Sequence, residues 1–186
     1  MKFNLLIILI FGISFSSISQ IDPNDIEIVR DSFGVPHIYA KTDAQVAYGL
    51  AWAHAEDDFE TIQYAYLAGN GLLGHYLGKD GIGADFLASF IGSEELYKAK
   101  FNTDISPEYL KVLEGYSAGL NSYAKHNPDE VLSSKLFPVT PKKMMKYGQL
   151  QLFMSSRGDY WVSRILNNDL DFDPINLSPI GSNTFA

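Results

Sequence analysis

Thr42-Asp43-Ala44-Gln45 is the segment that most restricts how this chain can fold. A threonine followed three residues later by glutamine forms a capping box. The hydroxyl accepts from the Gln45 amide, and the Gln45 side chain reaches back to the Thr42 N–H. Beyond it, apolar side chains recur at helical spacing through Val46, Leu50, Ala53, Phe59, Ile62 and Leu67. Gly69-Asn70-Gly71 supplies the stop signal. The pattern predicts one long helix, and the remaining elements have to be arranged around it.

Upstream, Ile26-Glu27-Ile28-Val29-Arg30 alternates apolar with polar residues and reads as a strand. Asp31-Ser32-Phe33-Gly34 is turn chemistry, and Val35-Pro36-His37-Ile38-Tyr39 is a second extended piece that Pro36 confines to an edge. Downstream, the glycine-rich residues 70–85 read as loop and Ala84 to Phe101 as helix. Ser106-Pro107-Glu108 opens a further helix that runs to about His126, with Pro107 at its favoured first position. Asn127-Pro128-Asp129 breaks it. Thr140-Pro141 starts a last helix through Leu150, Phe153 and Ile165. The fold class is therefore α+β: a helical body with a short N-terminal strand pair, spanning residues 20–170.

Both ends carry a different character. Met1-Lys2, the apolar run Leu5 to Phe11 and the small residues Ser17-Ile18-Ser19 read as an export signal, residues 1–19, cut before Gln20. The apolar run is short for a membrane span of about 20 residues, so no membrane anchor is expected after its removal. The mature chain is expected to be periplasmic or extracellular. Removing the signal takes Lys2 from the 14 basic residues and leaves 13 against 22 acids, net −9. So acidic a chain is a poor partner for nucleic acid. With no cysteine, disulfides, thiolate nucleophiles and cysteine metal sites are excluded. Residues 171–181 are polar and proline-bearing, as in an exposed, cleavable linker.

Candidate chemistry is sparse. On the long helix His54 and Asp58 are four apart and share a face, which makes a metal pair possible, although two ligands do not make a site. His37, His75 and His126 lie in extended or loop contexts without a Ser/His/Asp pattern. Gly181-Ser182 follows the linker. Were that bond cut, Ser182 would carry its own base, because an α-amine with a pKa of about 7.7–8.0 is partly neutral near pH 7. Gly181 tolerates the backbone strain that lets the hydroxyl attack the preceding carbonyl. A Gly-Ser pair alone carries little weight, since any loop can contain one.

Three blocks change that weight. Ile28-Val29-Arg30-Asp31-Ser32-Phe33-Gly34-Val35-Pro36-His37-Ile38-Tyr39-Ala40 resembles the start of the mature α chain in the penicillin acylase family. Tyr48-Gly49-Leu50-Ala51-Trp52-Ala53-His54-Ala55-Glu56-Asp57-Asp58 resembles the next block of that family. Gly181-Ser182-Asn183-Thr184-Phe185-Ala186 resembles the junction where its β chain begins. Glu56-Asp57-Asp58-Phe59 with Gly74-His75-Tyr76-Leu77-Gly78 is more similar to the aculeacin and acyl-homoserine-lactone acylases.

The resemblance implies an N-terminal-nucleophile hydrolase with an αββα core, exported as a precursor that cuts itself at Gly181–Ser182. Ser182 would be the nucleophile and residues 182–186 the start of the β chain. The partners would be the protein's own β chain and a small N-acyl amide substrate. The resemblance also places Met154 and Arg157 near the acyl pocket. Some relatives hold calcium through a glutamate on the last helix, whereas Tyr160 to Leu166 has Arg164 and no acid, so no cofactor is expected from this stretch. On this reading 186 residues form an amino-terminal fragment, inactive alone. The rival readings are a secreted, non-catalytic helical interaction module and a metal-dependent hydrolase centred on His54 and Asp58.

Overall fold

In the computed structural model, which describes residues 21–169, the chain begins with a two-stranded antiparallel hairpin, β1 (Glu27–Arg30) and β2 (Pro36–Tyr39). Ile28 pairs with Ile38, and Arg30 with Pro36. The alternation works as read: Ile28 and Ile38 face inward, while Val29, Val35 and Tyr39 face out. Gly34 closes the turn at φ 83°, a conformation cheap only for glycine. Asp31 Oδ1 braces it by accepting from Phe33 N at 2.8 Å and Val35 N at 3.0 Å.

Among the described residues seven α-helices follow: α1 (Asp43–Gly69), α2 (Leu73–Leu77), α3 (Ile82–Phe90), α4 (Ser93–Asp104), α5 (Pro107–His126), α6 (Pro141–Ser155) and α7 (Gly158–Leu166). The capping box at Thr42 and Gln45 forms in both directions, and α1 ends at Gly69. Ser106 caps α5 at the Tyr109 amide with Pro107 in the first turn, and Thr140 caps α6 in the same way. The α+β class, helical with a small strand pair, stands.

Several expected elements differ in detail. The stretch 70–85 is not loop: it holds α2 and the start of α3. The single helix expected from Ala84 to Phe101 is two, because Gly92 adopts φ 67° between α3 and α4. The last helix is also two. Arg157 takes φ 60°, breaking the ladder after Ser155. The expected export signal at 1–19, the whole of the linker at 171–181 and the segment 182–186 lie outside the described residues. Among the described residues, no helix is long and apolar enough to cross a membrane.

The core lies where α1 and α5 cross. Ala51, Ala55, Phe59, Tyr66 and Leu67 of α1 pack on Leu120, Tyr123 and Ala124 of α5, closed by Leu136 and Val139. The crossing is close because α5 presents Gly115 and Gly119 one turn apart. A Cβ on Gly115 would strike the Ala44 carbonyl, and one on Gly119 the Tyr48 carbonyl. Gly69 meets the backbone of Tyr147 in α6 in the same manner. Buried polar groups inside this seam are satisfied. Gln63, with no exposed surface, donates to the carbonyls of Phe59 and Glu130 and accepts from Leu132 N at 2.8 Å.

Candidate active-site elements

The hairpin is tied to α1 by one arginine. Arg30 leaves the end of β1 and places Nη2 2.7 Å from Asp57 Oδ1 and 3.3 Å from Glu56 Oε2. Its Nη1 donates to the Gly34 carbonyl at 2.8 Å, and Nη2 also reaches the Ala53 carbonyl at 3.4 Å. The hydrogen bonds to Asp57, then Glu56, raise the guanidinium pKa above its ordinary value. One side chain therefore holds the hairpin turn, a helical carbonyl and two carboxylates together.

These acids sit immediately before a break in α1. Asp58 is extended, with φ −161° and ψ 76°, and the helix restarts behind it. Its Oδ1 accepts from Thr61 N at 3.0 Å, as an N-cap does, and that bond holds its carboxyl below the usual range. The rival reading of His54 and Asp58 as a metal pair meets a geometric obstacle here. His54 and Asp58 are not separated by one continuous helical turn. His54 Nδ1 instead lies 3.1 Å from the Tyr116 hydroxyl, and Asp58 is occupied as a cap. Among the described residues, no group of three or more His, Asp or Glu side chains could hold a metal ion.

The residues assigned to the acyl pocket lie at the α6–α7 junction. Met154 is 42% exposed on the last turn of α6. Arg157 N donates to the Met154 carbonyl at 3.0 Å, and its guanidinium rests 4.5 Å from the centre of the Tyr160 ring. On α7, Arg164 bonds the Tyr160 hydroxyl at 3.1 Å and pairs with Asp169 at 3.1 Å. Backbone geometry thus brings Met154 and Arg157 together in the turn between the two helices. Gly181 and Ser182 lie outside the described residues.

The other three histidines have local partners. His37 lies 3.4 Å from Asp31, His75 2.9 Å from Lys135 Nζ, and His126 Nδ1 2.8 Å from the Ser122 carbonyl. His126 also borders an apolar cavity of about 250 Å³ between the hairpin and the α1–α5 seam, with Ile26, Ile28, Tyr48 and Trp52. Sequence reading missed both the Arg30 cluster and the break at Asp58. Asp58-Phe59-Glu60-Thr61 does carry a capping signal, but apolar periodicity runs straight through it.

Comparison with known proteins places this arrangement. The chain is 27% identical to penicillin G acylase of Escherichia coli over 148 residues, which is 77% of this chain and 17% of that protein. It is 31% identical over 103 residues to the acyl-homoserine lactone acylase PvdQ of Pseudomonas savastanoi pv. phaseolicola, covering 51% of this chain and 13% of that one. Penicillin acylase 2 proenzyme of a Pseudomonas species is 28% identical over 98 residues. The chain therefore spans less than a fifth of the length of these relatives. In fold, it matches a chain of the thermostable penicillin G acylase from Alcaligenes faecalis with a TM-score of 0.62 at 18% identity, over 87% of this chain and 95% of that one. The model of the penicillin amidase family matches residues 25–186, from just before β1 through Ser182, and the chain belongs to that family.

Proposed function

We propose that this chain is the amino-terminal part of an exported precursor that cuts itself at Gly181–Ser182 and hydrolyses N-acyl amides with Ser182 as nucleophile. The observation that carries this reading is the reach of the family match, which includes the Gly181-Ser182 pair as well as the folded residues. One relative is itself named a proenzyme. The relatives' names include a penicillin G acylase and acyl-homoserine lactone acylases, and the N-acyl amide bond is the chemistry those substrates share.

Once free, the α-amine of Ser182 takes the hydroxyl proton, through a water, as the oxygen attacks the amide carbonyl. The C–N bond breaks, the amine leaves with a proton, and an acyl-serine ester remains. Water then attacks that ester and releases the acid. The oxyanion requires preorganised donors, which fall to the part of the protein beyond this chain. The Met154–Arg157 turn borders the acyl group, so an apolar acyl chain meets Met154.

The test is release of p-nitroaniline from a series of N-acyl-p-nitroanilides by protein made from the full reading frame. Hydrolysis by the wild type and none by Ser182→Ala supports the reading. Equal hydrolysis by both, or none by either across the series, overturns it. The latter result would leave a secreted interaction module.

A further inference from the structure

The turn of the hairpin holds Phe33 out into solvent. Its side chain is 91% exposed, more than any other large apolar residue among those described. Val29, Val35 and Tyr39 are exposed on the outer face of the same hairpin, while Ile28 and Ile38 pack inward. Glu27 and His37 share that outer face, paired across the strands with Tyr39 and Val29. A lone exposed apolar side chain is ordinary, but a group of them on one element marks a contact surface.

The backbone that presents Phe33 is braced from several sides. Asp31 N donates to the Val35 carbonyl at 3.1 Å, and Gly34 N donates to the Asp31 carbonyl at 3.0 Å. Asp31 Oδ1 accepts from the amides of Phe33 and Val35. Arg30 grips the Gly34 carbonyl, and its guanidinium is itself anchored on Glu56 and Asp57 of α1. A ring held this way loses little freedom when a partner closes over it. Rigid aromatic anchors of this kind carry much of the binding energy at protein interfaces. The hairpin is also a sheet of only two strands among the described residues, which leaves both outer edges unpaired.

We propose that Phe33 is an anchor that inserts into the protein's own remainder beyond Ala186, with Val29, Val35 and Tyr39 bordering the contact. This rests on the reading that the chain is the amino-terminal part of a longer protein, and not on the cut at Gly181–Ser182. The chain spans less than a fifth of the length of its relatives, so the larger part of such a protein is available to cover the hairpin. An anionic membrane surface fits poorly, because Glu27 and Asp31 flank the apolar residues and the chain carries net charge −8.

Hydroxyl-radical footprinting of protein made from the full reading frame tests the contact without any substitution. The expected result is that Phe33 and Tyr39 are oxidised at least several-fold more slowly in the native protein than in urea. The sequence has no cysteine, so Phe33→Cys gives a second probe, read by mass on the peptide carrying residue 33. Its reaction with a maleimide should be at least tenfold slower in the native protein than in urea. Ser182→Ala should protect Phe33 equally, because the remainder stays attached whether or not the chain is cut. Oxidation of Phe33 at the unfolded rate in the native wild type overturns the proposal, even where Ser182 is released as an amino terminus. Protection that fades on dilution would place a second copy on this face and overturns it as well.

Discussion

Between α1 and α5 the backbones touch through Gly115 and Gly119, Leu67 and Leu120 are sealed, and Gln63 has every bond it needs. Between α3, α4 and α6 the same chain leaves an open polar cavity, an unpaired Ser93 hydroxyl, and Ile82, Phe86 and Phe90 facing outward one turn apart. Both corners are built of packed helices, and at the first, Gly115 and Gly119 bring the backbones together. Stability belongs to the seam, and the α3–α4 corner keeps surface and acceptors free for other contacts. A large effect of a substitution at the seam and a small one at the corner is the signature of that division.

The largest effect is expected at Leu67, which has no exposed surface. Leu67→Ala should lower the unfolding free energy by about 2–5 kcal/mol in urea denaturation. Gly119→Ala comes next: its methyl would meet the Tyr48 carbonyl, and overpacking of this kind costs about 1–3 kcal/mol. Asp58→Ala removes the cap that restarts α1 and should cost about 1 kcal/mol, read from the same curves. Phe86→Ser, at a ring 54% exposed, should change stability by less than about 0.5 kcal/mol. If Phe86→Ser costs as much as Leu67→Ala, the division between the two regions is wrong.

Glu94 ties the corner to α6 and sharpens the comparison through pH. Its lysine partners, Lys142 first, hold its carboxyl at about 2 against an ordinary 4.5. The folded value lies below the unfolded one, so the pairing stabilises above about pH 4.5 and that contribution disappears as pH falls toward about 2. Its side chain is 34% exposed, so solvent screening keeps the effect small. Wild type and Glu94→Gln should differ in melting temperature at neutral pH, and the gap should shrink below about pH 4.5 and close only near about pH 2. A gap that persists there would mean that Glu94 acts through packing.

Local chemistry was legible in the sequence. The capping box at Thr42, Pro107 at the first turn of α5 and the alternation through Ile26 and Ile28 each depend on neighbours a few residues away, and each appears as read. The breaks were not legible. Apolar spacing reports which face is buried, and that face is the same on both sides of Asp58, so periodicity passes through a restart in the ladder. Arg157 takes φ 60° without being glycine, and no residue type announces it. The Arg30 cluster joins residues 26 and 27 positions apart, which only the folded hairpin brings together. Reading His54 with Asp58 as a pair failed on the same point. It assumed a helix continuous where a side-chain cap interrupts it.

On the proposed function, Ser182 becomes an amino terminus. Intact mass with amino-terminal sequencing, on protein made from the full reading frame beside Ser182→Ala, tests it most directly. Self-cleavage at Gly181–Ser182 gives two chains in the wild type, one beginning Ser182-Asn183-Thr184-Phe185, and one uncut chain in the variant. A single stable chain in both, or the same cut in both, would contradict it.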